Sequence, residues 1–195
     1  PVKAYYSENV NVLIAEKYSR AANGGVGFAK AAGNYAAQFY PTSLAQKKGY
    51  EQIIWTDANN HEYLEEAGTM NIFFRIGDNL ITAPNNDRIL DGVTRKSIID
   101  LCNYLKINVE IRPISIKELL SSYHNKSLKE IFGSGTAVVI LPIKSFNYKN
   151  IHYDLRNNKD PQSELLKKKI MDIQYNIGED PFNWRYKVPM LTFSK

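Results

Sequence analysis

The chain has 195 residues, 44% hydrophobic and 23% charged, with a net charge of +5. That length fits one sizeable domain, or one domain plus an attachment, and the composition is that of a folded protein, not a disordered one. The positive excess clusters tightly only at Lys47–Lys48 and Lys167–Lys169, which read as solvated helix faces and argue against a nucleic-acid partner. The 13 tyrosines do not interleave with Arg and Lys as a base-stacking platform would require. No apolar run approaches membrane-spanning length and the N-terminus is not a signal peptide, so no membrane partner is expected. The single cysteine, Cys102, rules out an intramolecular disulfide framework. It falls in an apolar helical pattern, reads as a buried core thiol and fits a reducing compartment, hence a cytoplasmic location. No metal-ligand set is expected. The chain starts at Pro1 and not at a methionine, so the expectation is a fragment or a processed product.

In chain order, Lys3 to Tyr6 and Val10 to Leu13 read as short extended pieces around the turn-prone Ser7–Asn9. Lys17 to Ala22 follows, with Arg20 ten residues before Lys30. The stretch Gly24–Tyr35, GGVGFAKAAGNY, sets Lys30 alone among glycine, alanine and phenylalanine. Val26 to Ala29 reads as a short strand entering that lysine. An ammonium in such surroundings is expected to be desolvated, which makes Lys30 a candidate Schiff-base former. The same window is compatible with a surface lysine after a strand. Asn34 can cap a helix running to about Lys48 and stopped by Gly49, with Ala36, Tyr40 and Leu44 on one face. Pro41 is expected to kink or divide it.

Gln52 to Thr56 is a buried-strand signal followed by a turn at Asp57–Asn60. Glu62 to Glu66 leads into a second apolar strand, Met70 to Ile76. Gly77–Asn79 is a hairpin turn and Leu80 to Thr82 returns, with a loop at Pro84–Asp87. Gly92 to Lys106 is an amphipathic helix with Ile98, Ile99, Leu101, Cys102 and Leu105 on its apolar face. Val109 to Pro113 is a strand. Ser115 caps a helix to about Tyr123, with Glu118 in the capping-box position. Leu128 to Phe132 leads into Gly133–Gly135, Val138 to Leu141 is a buried strand, and Tyr148 to Tyr153 is another short one. Pro161 starts a helix to about Tyr175, and the tail from Asp180 to Lys195 is expected to wrap the surface. Strands and helices mix without strict alternation, which predicts an α+β or irregular α/β domain.

Chemistry concentrates in four small-residue turns. Besides the Lys30 stretch they are Glu66–Asn71 (EAGTMN), Leu90–Arg95 (LDGVTR) and Gly133–Ala137 (GSGTA). Gly92–Val93–Thr94 opens a helix whose free N–H groups and dipole suit an anion, with the Thr94 hydroxyl as a further donor. Gly133–Gly135 can present backbone amides to a carboxylate or phosphate. Either turn is equally compatible with an ordinary loop, and Asp91 with a helix N-cap. Glu66 beside Glu65 fits a solvated acidic face, but its place before Ala-Gly and an apolar strand points to burial, where a carboxylate needs a positive partner. A lysine Schiff base, a carboxylate for a ring nitrogen and a helix N-terminus for a phosphate are the parts of a pyridoxal phosphate site.

In these stretches, GGVGFAKAAGNY, EAGTMNIFF, ILDGVTRKSIIDL and EIFGSGTAVVILP, the sequence resembles the branched-chain amino acid aminotransferases. These are fold-type IV pyridoxal-phosphate enzymes of the class IV aminotransferases. The matches keep the family's order and spacing and cover about Val2 to Val188. The resemblance implies a D-amino acid aminotransferase-like fold, a mixed pseudo-barrel sheet surrounded by helices. The whole chain, 1–195, would be the C-terminal large domain, without the N-terminal small domain. It further implies that Lys30 forms the Schiff base and shuttles the proton. Tyr35 would bond the cofactor's phenolic oxygen and border the substrate, and Glu66 would pair with the pyridine nitrogen. Leu90 would pack on the ring, and Gly92, Val93, Thr94 and Thr136 would bind the phosphate. The amides of Thr136 and Ala137 would receive the substrate carboxylate, and Arg20 lies near the site. Some relatives carry a Cys-x-x-Cys pair where this chain has Val138 and Leu141, so thiol regulation there is not expected. The implied activity is transfer of an amino group from leucine, isoleucine or valine to 2-oxoglutarate, in a homodimer, with this chain alone inactive. A D-amino acid aminotransferase, an aminodeoxychorismate lyase of the same fold, and a non-catalytic binding module remain alternatives.

Overall fold

The computed structural model describes residues 10–155 and 160–189. The extended piece expected at Lys3–Tyr6 and the end of the tail lie outside the described residues. In chain order the elements are β1 (Val10–Ile14), α1 (Ala32–Lys47), β2 (Gln52–Thr56), β3 (Tyr63–Ala67), β4 (Asn71–Ile76) and β5 (Asn79–Thr82). Then follow α2 (Val93–Tyr104), β6 (Val109–Ile111), β7 (Ile114–Ser115), α3 (Ile116–His124), β8 (Leu128–Gly135), β9 (Val139–Tyr148), β10 (Ile151–Asp154) and α4 (Gln162–Gln174).

The strands form one mixed sheet in the order β6-β5-β4-β8-β9-β1-β2-β3-β7, with β10 on β9. β1 runs parallel to both β2 and β9, and β5 parallel to β6; the other pairs are antiparallel. β9 joins the two halves because it is long enough to serve both. Val139 to Pro142 pair with β8, and Ile143 to Asn147 pair with β1. The sheet curls, so that β3 and β4, far apart in the ladder, pack on each other. Only Gly68, Thr69 and Met70 connect them, in a turn closed by the Ala67 amide donating to the Met70 carbonyl at 2.8 Å. The α+β reading and the curled sheet expected from the resemblance both hold.

Burial explains the strand signals. Every residue of β2 is buried, because both faces are covered. Ile54 joins the core inside the curl, whereas Ile53 and Trp55 pack with Ala45 of α1. A strand covered on both faces has no reason to alternate with polar residues. Phe73 and Phe132, cross-strand neighbours on β4 and β8, stack at 5.1 Å in a second core beneath α2 and α4. That core also holds Cys102, fully buried as expected, its thiol pushed up to about 12 by desolvation. Ser115 caps α3 by accepting from the Glu118 amide at 3.0 Å. The Glu118 carboxylate, however, pairs with Arg112 and not with the cap. α4 has no cap of its own; the buried Glu130 carboxylate on β8 accepts from the Gln162 and Ser163 amides and the Ser163 hydroxyl.

Several local expectations are corrected. Val26 to Ala29 is a turn and not a strand; the Ala29 amide donates to the Val26 carbonyl at 3.0 Å, and Val26 and Phe28 are each 54% exposed. Asn34 lies inside α1, whose N-cap is Ala31. The Asn34 side chain instead donates to the Val26 and Ala29 carbonyls, at 2.7 and 3.0 Å. The buried face of α1 is Asn34, Gln38, Pro41 and Ala45, not Ala36, Tyr40 and Leu44. Two amides therefore face inward while Phe39 and Tyr40 face solvent. Pro41 does not divide the helix, which runs unbroken across it. Tyr148 ends β9, and the short strand begins at Ile151 after a turn. The described part of the tail is neither helix nor strand; Phe182 packs edge-on against Tyr104 of α2 and stacks on Trp184 at 4.3 Å.

Candidate active site

The split between the two halves of the sheet opens a cleft of about 460 Å³. It is bordered by the end of β3, the start of β4, the β8–β9 turn, the N-terminus of α2 and the loop before α1. Lys30, Tyr35, Glu66, Leu90, Gly92, Val93, Thr94, Thr136 and Ala137 all line it, so four stretches far apart in sequence converge on one cavity.

Arg20 is the post that holds the loop. Its side chain, 2% exposed, donates through the guanidinium to the Arg88 carbonyl at 2.7 Å and to the Gly27 carbonyl at 3.0 Å. Gly27 packs so closely that a Cβ there would lie 2.6 Å from Ala21 Cβ and 2.7 Å from Arg88 Cα, a space only glycine fits. The Asn34 side chain fixes the other side of the loop. Lys30 emerges between these ties, with its Nζ 5.6 Å from the centre of the Tyr35 ring. The expected desolvation is not found: Lys30 is exposed, because its small neighbours leave it at the open rim of the cleft and do not enclose it.

Glu66 is buried, 4% exposed, and so is its neighbour Glu65. The acidic pair is therefore not a solvated face; Glu65 is tied to Arg88 and Glu66 to Arg20, the latter at 2.8 Å. The second Glu66 oxygen accepts from Asn71 Nδ2 at 3.1 Å and from the Leu90 amide at 3.2 Å. Burial pushes the Glu66 carboxyl up to about 7, against the opposing pull of Arg20, the Leu90 amide and Lys30. A carboxylate offers about four acceptor positions, and three are filled here, which leaves one for a donor in the cleft.

Across the cleft, α2 begins at Gly92 with no side-chain cap and no acidic residue in its first turn. The amides of Val93 and Thr94 have no partner within the helix by geometry, and the helix dipole adds to their pull on an anion. Asp91 is not the cap. Its carboxylate is drawn to Lys96 and Asn85, which lower its pKa from the usual carboxylate value. Facing this helix start, Thr136 and Ala137 occupy the tight turn between β8 and β9, both exposed. The Ser134 hydroxyl, buried beside them, has no hydrogen-bond partner among the described residues.

The cleft thus holds an amine at its rim, a buried carboxylate that changes charge near neutrality, and an anion-binding helix start opposite. Two polar lining residues had no expected role: Asn71 closes the EAGTMN run and Ser134 sits inside the glycine turn. Arg20, expected only near the site, is the direct partner of Glu66.

A family model for amino-transferase class IV matches residues 4–146. Among curated relatives, a probable branched-chain-amino-acid aminotransferase of Staphylococcus epidermidis is 41% identical over 194 residues, covering 97% of this chain and 54% of that protein. Of solved structures, the branched-chain amino acid aminotransferase of Escherichia coli superposes with a TM-score of 0.76 at 28% identity, over 92% of this chain and 57% of that one. The PLP form of the Thermobaculum terrenum enzyme gives 0.73 over 87% of this chain and 52% of that one, at 22% identity, a likeness of fold. The chain spans about half the length of the curated relatives it matches. It belongs to the class IV aminotransferases.

Proposed function

We propose that this class IV aminotransferase chain is the cofactor-binding large domain of a branched-chain amino acid transaminase that uses pyridoxal phosphate. The observation that carries this reading is the convergence of Lys30, Glu66 and the uncapped start of α2 on one cleft. The residues fit the cofactor. Glu66 retains an acceptor position for a ring N–H, α2 offers unpaired amides to a phosphate, and the buried Ser134 hydroxyl, without a partner among the described residues, lines the same cleft. When bound, pyridoxal phosphate supplies an aldehyde that takes up the amino group and a ring that accepts electron density from the substrate Cα.

The chain's own residues do the rest. Lys30 would be the amine that holds the cofactor and the base that takes the substrate's Cα proton. Its exposed position leaves it room to move between these tasks. Glu66, held by Arg20, keeps a proton on the ring nitrogen. Leu90 packs on the ring and Tyr35 orients the phenolic oxygen and borders the substrate. Gly92, Val93, Thr94 and Thr136 hold the phosphate, and the amides of Thr136 and Ala137 hold the substrate carboxylate. The amino group passes from leucine, isoleucine or valine to 2-oxoglutarate, in a cytoplasmic homodimer. An N-terminal small domain would complete the walls of the cleft. Without it the site is open and water screens each of these contacts, so this chain alone turns over poorly.

A kinetic assay with L-leucine and 2-oxoglutarate tests this. The protein with its small domain should form glutamate and the 2-oxo acid of leucine, and the isolated chain should form far less. Turnover of D-amino acids in place of L-leucine would contradict the substrate assignment, and equal rates in both forms would contradict the need for the second domain.

A further inference from the structure

Resting on the functional reading above, we propose that Asn71 is a positioning residue for the reaction, tying the Glu66 carboxylate to the start of α2 so that the two ends of the cleft keep one spacing. Asn71 opens β4 and is 5% exposed. Both hydrogens of its amide are used. One goes to Glu66 Oε2 at 3.1 Å and the other to the Leu90 carbonyl at 2.8 Å. The Leu90 amide returns to the same Glu66 oxygen at 3.2 Å, which closes a ring of three residues. The amide oxygen of Asn71 lies under Gly92, where a Cβ would come within 2.2 Å of it. The ladder pairing of Asn71 with Ser134 on β8 fixes the backbone from which this side chain projects.

No other side chain meets these demands. Aspartate would lose both donors and set a second carboxylate against Glu66. Leucine would keep the branched outline with bulkier methyl groups and lose the hydrogen bonds. Glutamine would add a methylene and push the helix start away. A donor to a carboxylate favours its charged form, so Asn71 also helps Glu66 to ionise. The charged groups that face Glu66 are Arg20 and Lys30 from the loop, Glu65 from its own strand and Arg95 from α2.

The test is a carbon NMR titration of the Glu66 carboxyl in the intact protein, assigned with Glu66→Gln, alongside pyridoxal phosphate affinity by absorbance. Asn71→Leu should move the midpoint up by about one pH unit, the worth of one charge-assisted hydrogen bond. The dissociation constant should rise about tenfold, and most of that rise should vanish in a Glu66→Gln background. If Asn71→Leu does not fold, Asn71→Ala carries the same expectation. An unchanged midpoint in the folded variant would overturn the proposal. A shifted midpoint in a protein that never binds pyridoxal phosphate would support the Asn71–Glu66 tie and defeat the functional reading instead.

Discussion

Burial raises the Glu66 carboxyl from 4.5 to about 7. Between those values the folded chain holds a proton that the unfolded chain has lost, so stability falls as pH rises through this window and levels off above it. The change attached to Glu66 is on the order of 3 kcal/mol. Glu65 and Glu130, also raised by burial, slope the same way, so the informative quantity is a difference between variants. Glu66→Gln should flatten the pH dependence of denaturant-measured stability between about pH 4.5 and 7, relative to the parent chain. Equal slopes would show that Glu66 is not titrating there. The sequence could point to Glu66 through its place before Ala-Gly and an apolar strand. It could not point to Arg20 as the partner, because the pair is 46 residues apart and meets only when β3 reaches the loop after β1.

At the level of elements, the loop before α1 and the start of α2 carry the site. Gly27→Ala forces its new methyl against Arg88 Cα and Ala21 Cβ, atoms that move only with the backbone. A loss of about 1–3 kcal/mol is expected, read as a lower unfolding midpoint; an unchanged midpoint would mean that the loop is not packed as described. At α2, Thr94→Val and Thr136→Val should each weaken pyridoxal phosphate binding by about tenfold or more, the worth of a hydrogen bond to a charged group. The rate at saturating cofactor should change less, and unchanged affinity in both would refute the phosphate placement. α2 was legible because Ile98, Leu101 and Cys102 keep a helical period and Gly92 marks its start. The face of α1 was not. Its buried positions include Asn34 and Gln38, which serve the loop and the Gly68 turn, so apolar spacing pointed to the solvent side. Val26 to Ala29 misled for a related reason: an apolar run there makes a turn because Arg20 and Asn34 claim its carbonyls.

Across the whole molecule, the cleft exists because one mixed sheet changes partners along β9 and curls, leaving the ends of β3, β4 and β8 around a gap. Sequence pattern gives most of the strands but not their order, since β1 lies beside β9 through pairings more than 100 residues apart. The family likeness, not periodicity, supplied the curled mixed sheet in advance, and the structure adds the strand order. The central claim is that the gap seats pyridoxal phosphate with Lys30 as its attachment point. Borohydride reduction of the intact protein with pyridoxal phosphate, followed by proteolysis and mass mapping, tests it most directly. The expected result is a pyridoxyl adduct on the peptide that contains Lys30, lost in Lys30→Ala. An adduct confined to another lysine, or its persistence in Lys30→Ala, would contradict it.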